Sequence, residues 1–338
     1  MTRREVVVVT GASAGLGRAI ARRFARDGAA IGLLARGRDG LEGARRDVER
    51  LGGKGLALPT DVSQADAVER AAAAVEAELG PIDIWVNNAM VSVFSPVKEM
   101  LPEEYERVTR VTYLGTVHGT LAALRRMSTR DRGVIIQVSS ALAYRSIPLQ
   151  SAYCGAKHAI LGFTASLRTE LLHERSNVRV TLVHMPALNT PQFSWVKSRL
   201  PRRPQPVPPI FEPEVGADAV AWAARHDCGR ELSVGWPSIE AVYGNKLAPD
   251  FADRHLAATG YSSQQTGEPA DPNRPNNLWE PMPGDHGARG RFAGRSREFS
   301  LELWLRTHRE LMALLGMGFT GIALGALSRN GGDDWSDD

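Results

Sequence analysis

The sequence has few cysteines and no long apolar run near its start. Only two cysteines, Cys154 and Cys228, occur in 338 residues, and there is no Cys-x-x-Cys pair. Two thiols cannot form a disulfide framework and offer no cysteine-based metal or redox centre. The first apolar run, residues 6–9, is too short for the core of a signal peptide. These absences favour a protein of the reducing cytoplasm.

The sequence also lacks a strong charge imbalance. It contains 41 Lys and Arg residues against 38 Asp and Glu, for a formal net charge of +3. An excess this small gives no electrostatic basis for nucleic-acid binding. His118, His158 and His184 do not have the spacing of metal ligands, so no metal site is expected. Hydrophobic residues make up 43% of the chain, enough for a sizeable core.

One uncharged segment lies near the C-terminus. Residues 311–327 contain no charged side chain and include four glycines. This length is at the lower limit for a helix that spans a bilayer. Two alternatives stay open: weak membrane association, or a buried segment that packs within an oligomer.

Short apolar runs alternate with longer helical segments from residue 5 to about residue 235. Seven runs occur, at residues 6–9, 30–34, 56–58, 82–86, 134–138, 178–183 and 231–234. Continuous apolar runs are typical of parallel strands buried on both faces. Two long helices are predicted, at residues 103–127 and 152–172. The pattern predicts an α/β fold, a Rossmann-type doubly wound parallel sheet of about seven strands with helices on both faces.

Two domains are predicted, a dinucleotide-binding and catalytic domain at residues 1–236 and a C-terminal extension at residues 237–338. Within the first, residues 191–213 include six prolines after position 200, which excludes a regular helix. This stretch follows the sixth strand, so we expect it to cover the substrate. In the extension, residues 262–297 are rich in Pro, Gly and Asn and precede a predicted helix at 299–315. We expect the extension to wrap around the main domain or a neighbouring subunit.

A glycine-rich turn follows the first predicted strand and opens the first helix. It reads Thr10-Gly11-Ala12-Ser13-Ala14-Gly15-Leu16-Gly17. Gly11 permits the tight turn, Gly15 lets the backbone approach a pyrophosphate, and Gly17 lets the helix pack closely on the strand. The alternative is a purely structural turn. The candidate cofactor-binding residues here are Gly11, Ser13, Gly15, Leu16 and Gly17.

The end of the second predicted strand indicates which dinucleotide is bound. An Asp or Glu at this position usually holds a ribose 2′-hydroxyl. This chain has Arg36 and Arg38 instead, and a guanidinium can bind a 2′-phosphate through two hydrogen bonds. NADP(H) is therefore favoured over NAD(H). The alternative is that Arg36 ends the strand in solvent.

Tyr153 and Lys157 lie four residues apart, and Ser140 lies thirteen residues before the tyrosine. On a helix, residues at this spacing are about 6 Å apart at their Cβ atoms. The ammonium can then lie beside the phenol, favour its ionised form and let it exchange protons. Ser139 is expected to make a strand-end hydrogen bond instead. Taken alone, the pair is more typical of a solvated helix, and the other motifs of the chain favour a catalytic role.

Together these motifs resemble the short-chain dehydrogenase/reductase family, in its ordinary single-domain branch, over roughly residues 5–260. The resemblance rests on the glycine turn, Asp61-Val62, Asn87-Asn88-Ala89, Ser140 and the Tyr153 to Lys157 spacing. It implies that Ser140, Tyr153 and Lys157 form the catalytic set. It further implies cofactor contacts from Tyr153 and Lys157 themselves and from Asp61, Val62, Asn88 and Thr190. A homodimer or homotetramer built on the two long helices is also implied.

Three positions depart from the family pattern. Met90 stands where a glycine usually gives room beside the cofactor. Thr112 takes the place of an asparagine that helps to hold a water chain to the lysine, so it joins the candidate catalytic residues in that role. The Pro-Gly turn after the sixth strand reads Pro186-Ala187. These departures put the proton relay and the turn geometry in doubt.

The resemblance implies an NADP(H)-dependent oxidoreductase that reduces a ketone or oxidises a secondary alcohol. Its rivals are a dinucleotide-sensing or scaffold protein with weak catalysis, and a membrane-associated reductase of lipid-like substrates. Phe193 and Trp195 are expected either to line an apolar substrate pocket or to pack under the proline-rich stretch. A basic cluster, which either attracts an anionic partner or is simply solvated, comprises Lys197, Arg199, Arg202 and Arg203.

Overall fold

The computed structural model describes residues 3–271 and 273–308. The segment at residues 311–327, on which the membrane alternative depends, lies outside this part of the chain. Among the helices of the described residues, none has the length and hydropathy required to cross a bilayer. Residues up to Phe299 form one compact unit, and a second begins at Ser300.

A seven-stranded parallel sheet forms the centre of the molecule. Its strands are β1 (Val6–Thr10), β2 (Ala30–Ala35), β3 (Lys54–Pro59), β4 (Ile84–Asn87), β5 (Gly133–Ser140), β6 (Val178–Met185) and β7 (Glu231–Ser233). They are ordered β3-β2-β1-β4-β5-β6-β7, and all neighbouring pairs are parallel. The strand order reverses between β1 and β4, which opens a crevice at the carboxyl ends of the strands. The predicted doubly wound fold is confirmed.

Helices connect the strands and cover the sheet. They are α1 (Gly15–Arg26), α2 (Arg38–Arg50), α3 (Ala65–Leu79), α4 (Pro102–Val108), α5 (Gly115–Met127), α6 (Ser151–His173), α7 (Gln192–Trp195), α8 (Pro213–Arg225), α9 (Trp236–Leu247), α10 (Pro249–Ser263) and α11 (Leu301–Thr307). Short 3₁₀ turns lie at Val97–Glu99, Ser128–Arg130, Ala141–Ala143 and Ala293–Arg295. The last helix covers residues 301–307 of the predicted 299–315 helix, and residues 309–315 lie outside the described part of the chain.

Apolar periodicity explains why the first βαβ unit forms. The four valines of β1 are fully buried, as expected for a central strand that is covered on both faces. On α1, Leu16, Ile20 and Phe24 recur every four residues and are all buried. The stripe packs the helix against the sheet and fixes the glycine turn that joins the two elements.

The helix predicted at residues 103–127 is present and widens locally in its middle. Between α4 and α5 the chain forms a π-helical segment, Thr109–Leu114. Thr112 lies within it, fully buried, and its Oγ1 donates to the Val91 carbonyl at 3.1 Å and accepts from the Val91 amide at 3.2 Å. The predicted helix is therefore confirmed, while its local widening is a feature that apolar periodicity does not report.

The proline-rich stretch 191–213 is fastened to the extension. Arg202–Pro204 pairs with Gln265–Pro269 in an antiparallel ribbon, and Ile210–Phe211 pairs with Ser296–Arg297. The extension up to Phe299 thus folds onto the main domain through short strands. These pairs hold the stretch beside the carboxyl edge of the sheet.

Salt bridges to α4 hold two members of the predicted basic cluster. Lys197 and Arg199 both reach Glu104, at 2.8 Å and 2.9 Å, and the Glu104 side chain is only 1% exposed. Burial opposes ionisation of Glu104, but hydrogen bonds from Arg199 and Lys197 outweigh it and lower its pKa to about 2. Both readings of the cluster were wrong for Lys197 and Arg199, which are structural cations. Arg203 pairs with Glu268 at 2.9 Å.

Candidate active site

A single cavity of about 670 Å³ runs along the carboxyl edge of the sheet. Loops after β1, β2, β4, β5 and β6 all contribute to its wall, because parallel strands end at the same edge. Of the predicted site residues, the cavity is lined by Gly11, Ser13, Gly15, Leu16, Gly17, Arg36, Asp61, Val62, Asn88, Ser140, Tyr153, Lys157 and Thr190. Arg38 and Thr112 are not part of the wall.

The glycine turn leaves a cradle at the start of α1. Gly15 has a φ of +58°, a conformation that favours glycine. At Gly17, an added Cβ would lie 2.2 Å from the Gly11 carbonyl oxygen, so only glycine fits. Asn88 supports the turn because its Nδ2 donates to the Thr10 carbonyl at 2.9 Å. A backbone cradle at a helix N-terminus fits the pyrophosphate of a dinucleotide.

Arg36 lines the end of the cavity that lies beside β2. Its Nη1 donates to the Trp279 carbonyl at 2.5 Å, and its Nη2 donates to the Asn277 carbonyl at 2.6 Å. Burial and the nearby Arg107 lower the pKa of Arg36, although an arginine stays charged. The interpretation of Arg36 as a solvated strand end was therefore wrong. Arg38, the first residue of α2, is exposed and away from the cavity.

Asp61 and Arg107 form an ion pair beside Arg36. The Arg107 Nη2 donates to Asp61 at 3.0 Å, and the Ser63 amide donates to the same carboxylate at 2.9 Å. Burial opposes ionisation of Asp61, but the hydrogen bonds from Ser63 and Arg107 outweigh it and lower the pKa of the carboxyl. Asp61 is thus held as an anion with a fixed orientation at the cavity wall.

Tyr153 and Lys157 lie on the first turns of α6 and face the cavity. The Lys157 Nζ is 5.5 Å from the centre of the Tyr153 ring and donates to the Val138 carbonyl at 2.7 Å. Burial lowers the pKa of Lys157 to about 7. Burial also raises the pKa of Tyr153 above its ordinary value, against a smaller opposing effect of a hydrogen bond with Ser140.

The expected lowering of the phenol pKa by the lysine is not present in this structure. The ammonium points to the strand carbonyl and is itself desolvated, so desolvation dominates both groups. The geometry therefore holds a protonated phenol, which is the form that can donate a proton.

Ser140 ends β5 and is half-buried beside Tyr153. Its Oγ accepts from the Leu142 amide at 3.2 Å, which caps the 3₁₀ turn that follows. The neighbouring Ser139 is buried, and its Oγ finds no hydrogen-bond partner among the described residues. The Ser139 side chain therefore does not make the expected strand-end hydrogen bond with any described residue.

Two of the three unusual positions have clear structural consequences. Met90 lines the cavity after β4, as expected for a residue beside the cofactor. The hydroxyl of Thr112 is taken up by the Val91 backbone, so it is not positioned to take part in a proton relay. The prediction of a catalytic Thr112 followed from alignment of a motif, whereas the π-helical turn directs its side chain to a neighbouring loop.

The altered turn after β6 is fastened by buried polar groups. Asn189 is fully buried, and its Nδ2 donates to Glu212 at 3.0 Å while its Oδ1 accepts from the Phe292 amide at 2.9 Å. Thr190 then lies against Gly15, since a Cβ added to Gly15 would be 3.3 Å from the Thr190 Cβ. Thr190 is thereby placed next to the glycine cradle.

A half-buried chain of polar side chains behind Ser140 was missed in the sequence. Glu231 accepts from the Tyr144 hydroxyl at 2.6 Å and pairs with the His184 Nε2 at 2.9 Å. The His184 Nδ1 is 3.3 Å from the Ser140 carbonyl oxygen. Hydrogen bonds from His184 and then Tyr144 lower the pKa of Glu231 to about 2. No motif marks these residues, because they come from three separate elements.

The other end of the cavity is mostly apolar. Phe193 and Trp195 lie in its wall, and Phe193 also packs edge-on against Phe94 and Phe292. Phe193 therefore lines the cavity and packs within an aromatic cluster, and its contact with substrate stays a prediction. Helices α9 and α10 close this end with small and apolar residues, namely Ala241, Gly244, Ala248, Phe251, Ala252 and Leu256. Two charged side chains also line this end, Arg145 and Glu240. Arg145 is engaged by Asn245 at 3.0 Å and by Asp253.

Known proteins are similar to this chain in sequence and in the fold that forms this cavity. A family model described as short chain dehydrogenase matches residues 5–199. The "Uncharacterized oxidoreductase YxnA" of Bacillus subtilis is 32% identical over 299 residues, covering 87% of this chain and 83% of the relative. An alcohol dehydrogenase from the archaeon Thermococcus sibiricus, complexed with 5-hydroxy-NADP, superposes with a TM-score of 0.59 at 29% identity, over 69% of this chain and 95% of that one. A short chain dehydrogenase from Mycobacterium paratuberculosis, bound to NAD, gives 0.60 at 26% identity, over 69% and 96%.

Proposed function

The chain belongs to the short-chain dehydrogenase family of oxidoreductases, and we propose that it interconverts a ketone and a secondary alcohol with NADP(H). One observation carries the proposal. Ser140, Tyr153 and Lys157 meet in the wall of the same cavity that holds the glycine cradle and Arg36. A dinucleotide laid along this cavity would have its phosphates at Gly15 and its other end at Tyr153.

Three residues of this chain then have separate roles in the reaction. When bound, the dinucleotide supplies or accepts a hydride. Tyr153, whose phenol is protonated in the buried site, donates its proton to the oxygen of the carbonyl as charge develops there. Ser140 donates a hydrogen bond to the same oxygen. Lys157 stabilises the tyrosinate that results and binds the ribose hydroxyls.

NADP(H) is proposed over NAD(H) because of the charges at the adenosine end. The residue directly after β2, where a carboxylate would bind a 2′-hydroxyl, is Arg36, and it lines the cavity. The like-charged Arg107 lies near enough to lower the pKa of Arg36. A 2′-phosphate would relieve this repulsion and compensate the desolvated guanidinium.

We propose an apolar substrate, since the cavity beyond Tyr153 is walled by α9 and α10 with few polar groups. Arg145 is already paired with Asp253, and Glu240, the carboxylate that α9 contributes to this wall, is exposed to solvent. Apolar walls with a small number of polar groups favour a ligand that carries one carbonyl on a hydrocarbon body. Reduction is the proposed direction, because cytoplasmic NADP(H) is expected to be mostly reduced.

We also propose a homodimer or homotetramer that forms through α5 and α6. Each of these helices presents a large apolar side chain to solvent in the single chain, Leu121 at 44% and Leu172 at 66% exposure. Light scattering of the purified protein, together with Leu121→Glu and Leu172→Glu, tests this. A monomeric wild-type protein would contradict it.

The decisive experiment is NADPH oxidation across a panel of apolar and polar ketones, with Tyr153→Phe as the control. We expect turnover with apolar ketones and a loss of at least about 100-fold in Tyr153→Phe, with NADPH affinity retained. If NADPH binds but no carbonyl or alcohol gives Tyr153-dependent turnover, the proposal fails and a dinucleotide-sensing protein is the better description.

A further inference from the structure

Residues 277–287 of the C-terminal extension cross the adenosine end of the cavity. We call this segment the strap. Asn277, Pro281, Met282, Gly284 and His286 line the cavity together with the glycine turn. The strap thus forms a wall of the dinucleotide cleft that neither the sheet nor its connecting helices provide.

The first end of the strap is fastened to two arginines. Besides the two hydrogen bonds from Arg36 to the Asn277 and Trp279 carbonyls, the Arg107 Nε donates to the Leu278 carbonyl at 3.1 Å. Leu278 itself is fully buried in the main hydrophobic core. Three successive strap carbonyls therefore accept from guanidinium groups, which fixes where Arg36 lies.

The second end is fastened to α1, α2 and the glycine turn. Arg18, whose side chain is 5% exposed, pairs with Asp285 at 2.8 Å. The Gly284 amide donates to Asp39 at 2.9 Å, and the Gly15 amide donates to the Gly287 carbonyl at 3.0 Å. Both ends are therefore tied to the cofactor-binding elements, with the residues between them spanning the cleft.

Arg36 keeps hydrogen-bonding capacity despite its contacts with the strap. A guanidinium carries five N–H groups, and the two strap carbonyls use one on each Nη atom. The others are available to a phosphate. Because the accepting groups are main-chain carbonyls, they orient the guanidinium without forming an ion pair with it. The carboxylates of Asp61 and of Glu280 in the strap act to raise the pKa of Arg36, but burial and Arg107 outweigh them and lower it.

We propose that the strap is part of the dinucleotide site, where it positions Arg36 for the 2′-phosphate and encloses the adenosine half of the bound cofactor. Preference for NADP(H) over NAD(H) then depends on the C-terminal extension as well as on Arg36. Cofactor release requires the Asp285 end of the strap to open. This inference rests on the proposed use of NADP(H).

The test loosens the strap at Asp285, a side chain 35% exposed and remote from the catalytic groups. The variants are Asp285→Asn, Arg36→Ala and the double variant. The matched control is Asp218→Asn, which removes another Arg–Asp pair of α1, that of Arg23 at 2.8 Å, without touching the strap. NADPH and NADH affinities are measured by fluorescence titration, and release rates by stopped-flow displacement with excess NADP⁺. Thermal melting checks that each variant is folded.

We expect Asp285→Asn to weaken NADPH binding about tenfold, as for loss of one charge-assisted hydrogen-bonded pair, and to speed release of both cofactors. NADH affinity should change much less, so the preference for NADPH falls. In the Arg36→Ala background the same substitution should leave the NADPH to NADH ratio unchanged, because the group that the strap positions is gone. Asp218→Asn should behave as wild type.

The outcomes separate this inference from the proposed function. If wild type prefers NADPH, Arg36→Ala abolishes that preference, and Asp285→Asn changes neither the preference nor the release rates, the role of the strap is overturned while the proposed cofactor stands. If wild type binds NADPH and NADH equally, the proposed cofactor and this role of Arg36 fall together.

Discussion

Lys157 provides a test of the proposed mechanism. The structure implies that this buried lysine lowers the stability of the folded protein, although the proposed reaction requires it. The side chain is 3% exposed, carries an ammonium group and has a single hydrogen bond, to the Val138 carbonyl. No carboxylate contributes to its pKa, which burial alone lowers. We expect Lys157→Met, which keeps the shape of the side chain but removes the charge, to raise the stability of the cofactor-free protein.

The size of the effect follows from the pKa of Lys157, which burial lowers from 10.5 to about 7. At 1.36 kcal/mol per pH unit, this corresponds to at most about 5 kcal/mol. The variant also loses the hydrogen bond to Val138, which costs it about 1.5 to 3 kcal/mol. The net increase in its free energy of unfolding is therefore about 2 kcal/mol. Between pH 7 and 10.5 the unfolded chain binds more protons at this position than the folded one, so wild-type stability rises with pH there. The advantage of the variant is therefore largest below pH 7 and shrinks toward pH 10.5.

Urea denaturation of the cofactor-free protein at pH 6, 8 and 9.5 measures this difference. Lys54→Met is a matched control, since the Lys54 Nζ also donates to a main-chain carbonyl, that of Glu78, but in an exposed position. It should change stability by less than about 0.5 kcal/mol. Lys157→Met should also lose at least about 100-fold in turnover. A variant less stable than wild type at pH 6, or a stability difference that does not vary with pH, would refute the reasoning.

Three further predictions concern the surroundings of the site. Glu104→Gln should lower the free energy of unfolding by about 2 kcal/mol at pH 7. This is less than for a fully buried pair, because the partners of Glu104 are about a quarter exposed. In urea titrations the loss should diminish as pH falls from 4.5 toward 2. The exposed Glu106→Gln is its control and should be near neutral. Gly17→Ala should abolish NADPH binding in fluorescence titrations, whereas Gly162→Ala, with open space around it on α6, should be neutral or stabilising. Gly244→Leu should raise KM for long-chain ketones more than for short ones, because Gly244 lines the apolar end of the cavity, and an equal effect on both would count against an apolar substrate there.

Local pattern determined the fold and most of the candidate site in advance. Buried parallel strands read as continuous apolar runs, and all seven were found. Because parallel strands end at one edge, residues placed after those strands converge there. The glycine turn, Arg36, Asn88, Ser140 and Thr190 follow strands in this way and line one cavity. Tyr153 and Lys157 join them through helical spacing.

Contacts between distant parts of the chain decided the rest. Arg36 is held by carbonyls more than two hundred residues away, and Arg199 is paired with Glu104. Both contacts depend on how the extension and the proline-rich stretch fold back onto the main domain. In the π-helical turn, the Thr112 hydroxyl donates to the Val91 carbonyl. Desolvation raises the pKa of Tyr153. Periodicity reports which face of an element is buried. Partners, burial depth and the resulting pKa values exist only once those faces have packed, so they belong to the tertiary structure.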